Sequence, residues 1–90
     1  MADDDLKQLI LRVLVDVAPE ADPGTLDPHV SFRDQIDMDS VDFLNFVLAL
    51  ERELGIAVPE ADYPRLSGLT GCLDALPMLI ESARNATAAQ

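Results

Sequence analysis

The stretch DQIDMDSVDFLNFVLALERELGI, residues 34–56, decides how this chain folds. Asp39 is a good N-cap, because a short carboxylate accepts from the backbone N–H groups that a first helical turn leaves unpaired. Asp42, three residues on, is placed to reach back to the cap and close a capping box. Gly55 supplies the residue type that most readily takes the left-handed conformation ending a helix. Between these signals Leu44, Val47, Leu48 and Leu54 recur at helical spacing and are expected to form the buried stripe, with Phe46 and Leu50 beside it. The stretch therefore predicts a helix from Ser40 to Leu54, with Ile56 and Val58 anchoring the exit toward Pro59.

Capping explains Asp39 and Asp42, and is worth about 1 kcal/mol of helix stability. It leaves Ser40 without a structural task. At the first helical position its hydroxyl points outward, near unpaired N–H groups. A phosphate attached there would be held by those donors and by the helix dipole. On the residues alone, Ser40 is a candidate modification site, and a serine beside a helix start is more often an ordinary surface residue.

Toward the N-terminus, Leu6, Leu9, Ile10, Val13, Leu14 and Val17 recur at three and four residues, one face of a first helix. Asp3, Asp4 and Asp5 stand where its positive end favours anions. Residues 18–38 hold Pro19, Pro23, Gly24 and Pro28 and read as a long loop, pinned by Val30, Phe32 and Ile36. Ser31 with Asp34 predicts a single helical turn inside it. Toward the C-terminus, EADYPRL, residues 60–66, is expected to form one short helical turn, in which Pro64 is tolerable only near the start. A last helix is expected from between Ser67 and Thr70, with Leu69, Leu73, Leu76, Leu79 and Ile80 on its apolar face. Pro77 predicts a kink or break in it, and residues 85–90 a frayed tail. No segment alternates as a strand does. The expectation is all-α: one domain over residues 1–90, a small bundle of three main helices with a short helix before the last.

Ninety residues suffice for one small domain, and 49% hydrophobic residues suffice for its core without metal or disulfides. Aromatics make up only 4%, so Leu, Val, Ile and Ala must fill most of that core. The lone Cys72 has no internal disulfide partner, which fits a reducing compartment. The start Met-Ala-Asp-Asp-Asp lacks the basic and apolar runs of a secretory signal, and no apolar run is long enough to span a bilayer. A cytoplasmic protein is expected. Seventeen acidic residues against six Lys and Arg give a net charge of −11. Such a surface repels phosphate backbones, so nucleic acid is excluded as a partner. It suits a protein with a basic patch, met at long range and released as salt rises, although acidity also serves solubility alone.

Catalytic constellations are lacking. His29 and Cys72 come with no third group or oxyanion motif. Asp34, Asp37, Asp39 and Asp42 fail the calcium-loop register whether counted from Asp34 or from Asp37, since neither count puts Gly sixth and Glu twelfth. No metal site is expected.

The run DMDSVDFLNFVLALERELGIAVPEAD resembles the acyl carrier proteins. The resemblance rests on Asp39-Ser40-Val41 at the helix start, in register with Leu50-Glu51-Arg52-Glu53-Leu54-Gly55-Ile56-Ala57-Val58-Pro59, and extends from Leu6 to about Ile80. It implies a carrier that is not itself an enzyme, with 4′-phosphopantetheine attached at Ser40 by a phosphopantetheinyl transferase that uses coenzyme A. Asp39 would place the turn on that transferase. Acyl groups would be held as thioesters, in fatty acid, lipid or related biosynthesis. The implied partners are acyl ligases, ketoacyl synthases or acyltransferases with basic docking rims, meeting a free-standing monomer. The implied contact residues are Val41, Asp42, Phe43, Glu51, Glu53, Glu60 and Asp62.

Departures from the family pattern suggest a dedicated member. Asp37 stands where a glycine is usual, and Val41 where a leucine is usual. Asn45 and Arg52 occupy commonly acidic positions, and Phe43 one that is often small or polar. The Asp-Phe-Leu run after Ser-Val is similar to carriers of long or unusual acyl chains, including those used for lipid A. Phe43 is expected to be semi-exposed against a partner or the arm, with cover by the loop as the alternative. A D-alanyl or aminoacyl carrier, or an unmodified acidic interaction module, remains open.

Overall fold

The computed structural model describes residues 3–88, with the side chains of 4–85. In chain order it contains α1 (Asp3–Val17), a single-turn α2 (Phe32–Gln35), α3 (Ser40–Leu54), a 3-10 helix (Glu60–Leu66) and α4 (Leu69–Ala88). This is the all-α bundle with a long first loop and a short helix before the last. No helix among the described residues is long and apolar enough to cross a membrane.

α1 is the common support, packing against both α3 and α4. Its face Leu6, Ile10, Val13 and Leu14 is buried, as the spacing required. Opposite it stand Phe32 from α2, Phe46, Val47 and Leu50 from α3, and Leu69, Cys72, Ala75 and Leu76 from α4. Ile56 and Val58 are buried after the αL cap of α3, as expected.

The face of α3 differs from the expected one. Val47 is buried, and Leu54 is partly buried against the core, but Leu44 and Leu48 are exposed. Phe46 and Leu50, expected only beside the stripe, are fully buried. The helix is apolar around most of its circumference, so spacing alone does not settle its rotation. Phe46 does, by meeting Phe32 edge to face with ring centroids 5.2 Å apart.

The loop is held by backbone pairing as well as by Phe32. Phe32 N–H donates to the Ser67 carbonyl at 2.7 Å, and Thr70 N–H and Oγ1–H both donate to the Pro28 carbonyl, at 3.0 and 2.7 Å. The Gln35 side-chain amide closes the loop on itself. It donates to the Asp27 and Val30 carbonyls and accepts from Asp27 N–H. Ile36 packs on the core, whereas Val30 is half-buried and stands outside that cluster. The predicted α2 turn forms, with Ser31 Oγ accepting from Asp34 N–H at 3.3 Å.

Of the kink or break expected at Pro77, the break does not occur, since α4 runs on from Leu69 to Ala88. A helical proline forfeits one backbone bond, and core contacts on both sides of it, from Ala75 and Leu76 and from Leu79 and Ile80, hold the two halves together. Pro64 lies past the start of its helix, as the fifth residue of the 3-10 segment. The helix also continues beyond Asn85, where fraying was expected; residues 89 and 90 lie outside the described residues.

The 3-10 helix sits directly on α4. A Cβ at Gly71 would overlap the Arg65 carbonyl oxygen, and the Cys72 thiol donates to the Leu66 carbonyl at 3.4 Å. Gly71→Ala should therefore destabilise the fold by about 1–3 kcal/mol, read from chemical denaturation. Burial pushes the Cys72 thiol up from 9.0 to about 12. The folded state keeps that proton where the unfolded chain loses it. The thiol's contribution is thus intact below pH 9.0 and disappears as the pH rises toward 12. Across that window the parent should lose stability faster than Cys72→Ala, by up to about 1.4 kcal/mol per pH unit.

Candidate functional site

The N-terminus of α3 is built as the sequence predicted. Asp42 N–H donates to Asp39 Oδ1 at 2.8 Å, and Asp39 N–H donates to Asp42 Oδ2 at 3.3 Å. The Asp39 carbonyl accepts from Phe43 N–H, the first helical bond. Both carboxylates are thus committed to starting the helix. At the other end Gly55 adopts φ 65, and its N–H donates to the Glu51 carbonyl.

Ser40 is the first residue of α3 and is exposed. Its hydroxyl makes no hydrogen bond among the described residues, and the N–H groups of Ser40 and Val41 are not taken by the cap. An accessible oxygen nucleophile therefore stands beside two open backbone donors at the positive end of a helix of 15 residues. Those features fit a phosphodiester. Met38, just before the cap, is buried and fixes the turn to the core.

Among the described residues, no side chain hydrogen-bonds the Ser40 hydroxyl. The one histidine, His29, has its ring against Thr70, with Nδ1 3.4 Å from Oγ1. Cys72 is fully buried with its thiol proton strongly held.

The chain matches the family described as the phosphopantetheine attachment site over residues 4–73. It belongs to this family, that of the acyl carrier proteins. The match spans α1, the long loop, the Ser40 turn, α3 and the start of α4. Among curated proteins, the chain is 32% identical over 53 residues to the acyl carrier protein of Thermosynechococcus vestitus, covering 59% of this chain and 65% of that one. It is 36% identical over 50 residues to acyl carrier protein AcpXL of Mesorhizobium japonicum, covering 56% of this chain and 53% of that one. A longer match, 26% identical over 77 residues, joins it to the acyl carrier protein of Petrotoga mobilis, covering 84% and 88%. The chain thus spans between about half and two thirds of the first two relatives' length. As a member of this family it is a carrier domain for phosphopantetheine.

The expected acidic contact residues are mostly engaged within the acyl-carrier fold. Asp42 belongs to the capping box, and Glu51 Oε2 accepts from Val58 N–H at 2.8 Å, holding the exit turn. Glu53 pairs with Arg12 of α1 at 3.5 Å, and Asp62 with Arg65 at 3.6 Å. Glu60 is exposed and has no such partner among the described residues. Val41 is exposed beside Ser40. Phe43 is half-buried, tilted against Phe46 with ring centroids 6.3 Å apart, so it touches the core and keeps part of its surface free.

Reading the sequence missed three structural roles here. The Glu51 bond to the exit turn had a signal, since a carboxylate four residues before a helix-ending glycine lies close to that turn's N–H groups. The Gln35 and Thr70 clasps had none, because they bridge segments that only the fold brings together. Asp39→Ala should cost about 1 kcal/mol of stability by removing the side-chain cap, while Asp39→Asn should recover most of it, both read from thermal melts.

Proposed function

We propose that Ser40 carries the 4′-phosphopantetheine and that the chain presents acyl intermediates as thioesters in fatty acid, lipid or related acyl-chain biosynthesis. The observation supporting this most directly is the free, exposed Ser40 hydroxyl at the start of α3, with capping already supplied by Asp39. When bound, the group supplies a flexible arm whose terminal thiol holds an acyl chain.

The residues of this chain divide the remaining work. Ser40 contributes the ester oxygen. Because no described side chain hydrogen-bonds it, a phosphopantetheinyl transferase removes its proton and supplies the group from coenzyme A. The Ser40 and Val41 N–H groups, with the dipole of α3, favour the phosphodiester charge. Asp39 holds the turn in the shape the transferase meets.

Acyl ligases, ketoacyl synthases and acyltransferases are the proposed users of the loaded arm, in the cytoplasm. The net charge of −11 draws their basic surfaces at long range, with exposed Glu60 as one free carboxylate. Asn45, Arg52 and Phe43 on α3 support a dedicated carrier over a general one.

Intact mass after incubation with coenzyme A and a broad-specificity phosphopantetheinyl transferase tests the assignment. The parent should gain a single phosphopantetheine and Ser40→Ala none. A folded parent that gains nothing, or an Ser40→Ala variant that still gains the group, overturns it.

A further inference from the structure

Met78 stands apart from the other large hydrophobic side chains of α4. It is 61% exposed, whereas Leu69 and Leu76 are buried and Leu73, Leu79 and Ile80 pack on the core. An open depression lined by Pro77, Met78, Glu81 and Ser82 gives solvent a path to it. Its sulfur also has a neighbour on another element, since the Arg65 Nη2 donor lies 4.0 Å from Met78 Sδ. Arg65 belongs to the 3-10 helix and Met78 to α4, so this contact bridges the two.

The other sulfur atoms among the described residues are shielded. Met38 is 7% exposed, and Cys72 is fully buried with its thiol donating to the Leu66 carbonyl. A thioether reacts with an electrophilic oxygen without losing a proton first. Exposure therefore decides which sulfur an oxidant reaches.

Oxidation would change what Arg65 meets. A thioether is a weak hydrogen-bond acceptor, whereas a sulfoxide is polar and carries an oxygen. At 4.0 Å the guanidinium gains little from the sulfur itself. An oxygen borne on that sulfur reaches toward the same donor and accepts a charge-assisted bond. Arg65 pairs with Asp62 at 3.6 Å through Nη1, the other terminal nitrogen, so the two contacts use different donors. Ser82 lines the same depression, but a bond from its hydroxyl would stay within α4. An ionised Glu81 offers only acceptor oxygens.

We propose that Met78 is a reversible oxidation site and that its sulfoxide, held by Arg65, tightens the 3-10 helix onto α4. The oxidant is hydrogen peroxide. The sulfur lone pair attacks one peroxide oxygen, the S–O bond forms as the O–O bond breaks, and the remaining oxygen leaves as water. Met78 is oxidised by one electron pair, which the peroxide takes up. Methionine sulfoxide reductases restore the thioether. The sulfoxide is chiral, and the epimer with its oxygen toward Arg65 makes the bond. The device works whether or not Ser40 is loaded.

The test treats the full chain with hydrogen peroxide at neutral pH and reads each oxidised site by peptide mass. Backbone amide exchange is then followed across residues 60–67, where Asp62 N–H donates to the Pro59 carbonyl and Ser67 N–H to the Pro64 carbonyl. Parent, Met78→Leu and Arg65→Ala are compared, each shown to be folded by its thermal melt. Arg65→Leu takes the place of Arg65→Ala if that variant is not folded. Met78 should oxidise about tenfold faster than Met38. Exchange in the 3-10 helix should slow about threefold in the oxidised parent and recover after treatment with the reductases. Neither oxidised variant should show the slowing. Oxidation at Met1, which lies outside the described residues, is common to the whole set, and Met78→Leu subtracts it.

Met38 keeping pace with Met78 overturns the site. An oxidised parent with unchanged exchange overturns the tie. Equal slowing in the Arg65 variant overturns the part given to Arg65, and slowing that survives in Met78→Leu assigns the effect to another methionine and overturns the proposal.

Discussion

The edge-to-face contact of Phe46 with Phe32 sets the rotation of α3, and the rest of the molecule follows from it. With Phe46 inward, Val47 and Leu50 follow it into the core, while Val41, Leu44 and Leu48 turn to solvent. The same contact anchors α2, and with it the end of the long loop, against α3. A helix apolar on most sides has several faces it could bury. A pair of large, rigid rings at one position separates those alternatives by more than scattered leucines would.

The electrostatics divide in two. At long range the chain is an acid of net charge −11. At short range many of its carboxylates are structural: Asp39 and Asp42 start α3, Glu51 closes its exit, and Glu53 ties it to α1 through Arg12. A carboxylate whose oxygens accept backbone N–H bonds has less to offer a partner than an open one. Overall charge therefore acts at long range, while much of the acidity on and around α3 is spent inside the fold.

The remaining constraint is close packing where the 3-10 helix meets α4. Gly71 admits the Arg65 carbonyl where a Cβ would not fit, and Cys72 donates into the same segment. Just before it, Ser67 and Thr70 receive the long loop through backbone and hydroxyl bonds. This corner is stitched by directional bonds, whereas α1 meets α3 and α4 mainly through side chains.

Much of the architecture was legible in residue order. Caps are local, so Asp39, Asp42, Gly55 and the Ser31–Asp34 turn could be read directly, and so could the α1 face with its clean three-and-four spacing. Ser40 stood out for the same reason, since a neighbour already did the capping. The exposed side of α3, the continuity of α4 through Pro77 and the engaged state of Glu51 and Glu53 were not legible. Each depends on what lies across the core or across a turn. Local sequence determines where a helix starts and stops, because those bonds span three or four residues. Only tertiary packing decides which of several apolar faces is buried and which charges stay free, because those energies belong to contacts between distant segments.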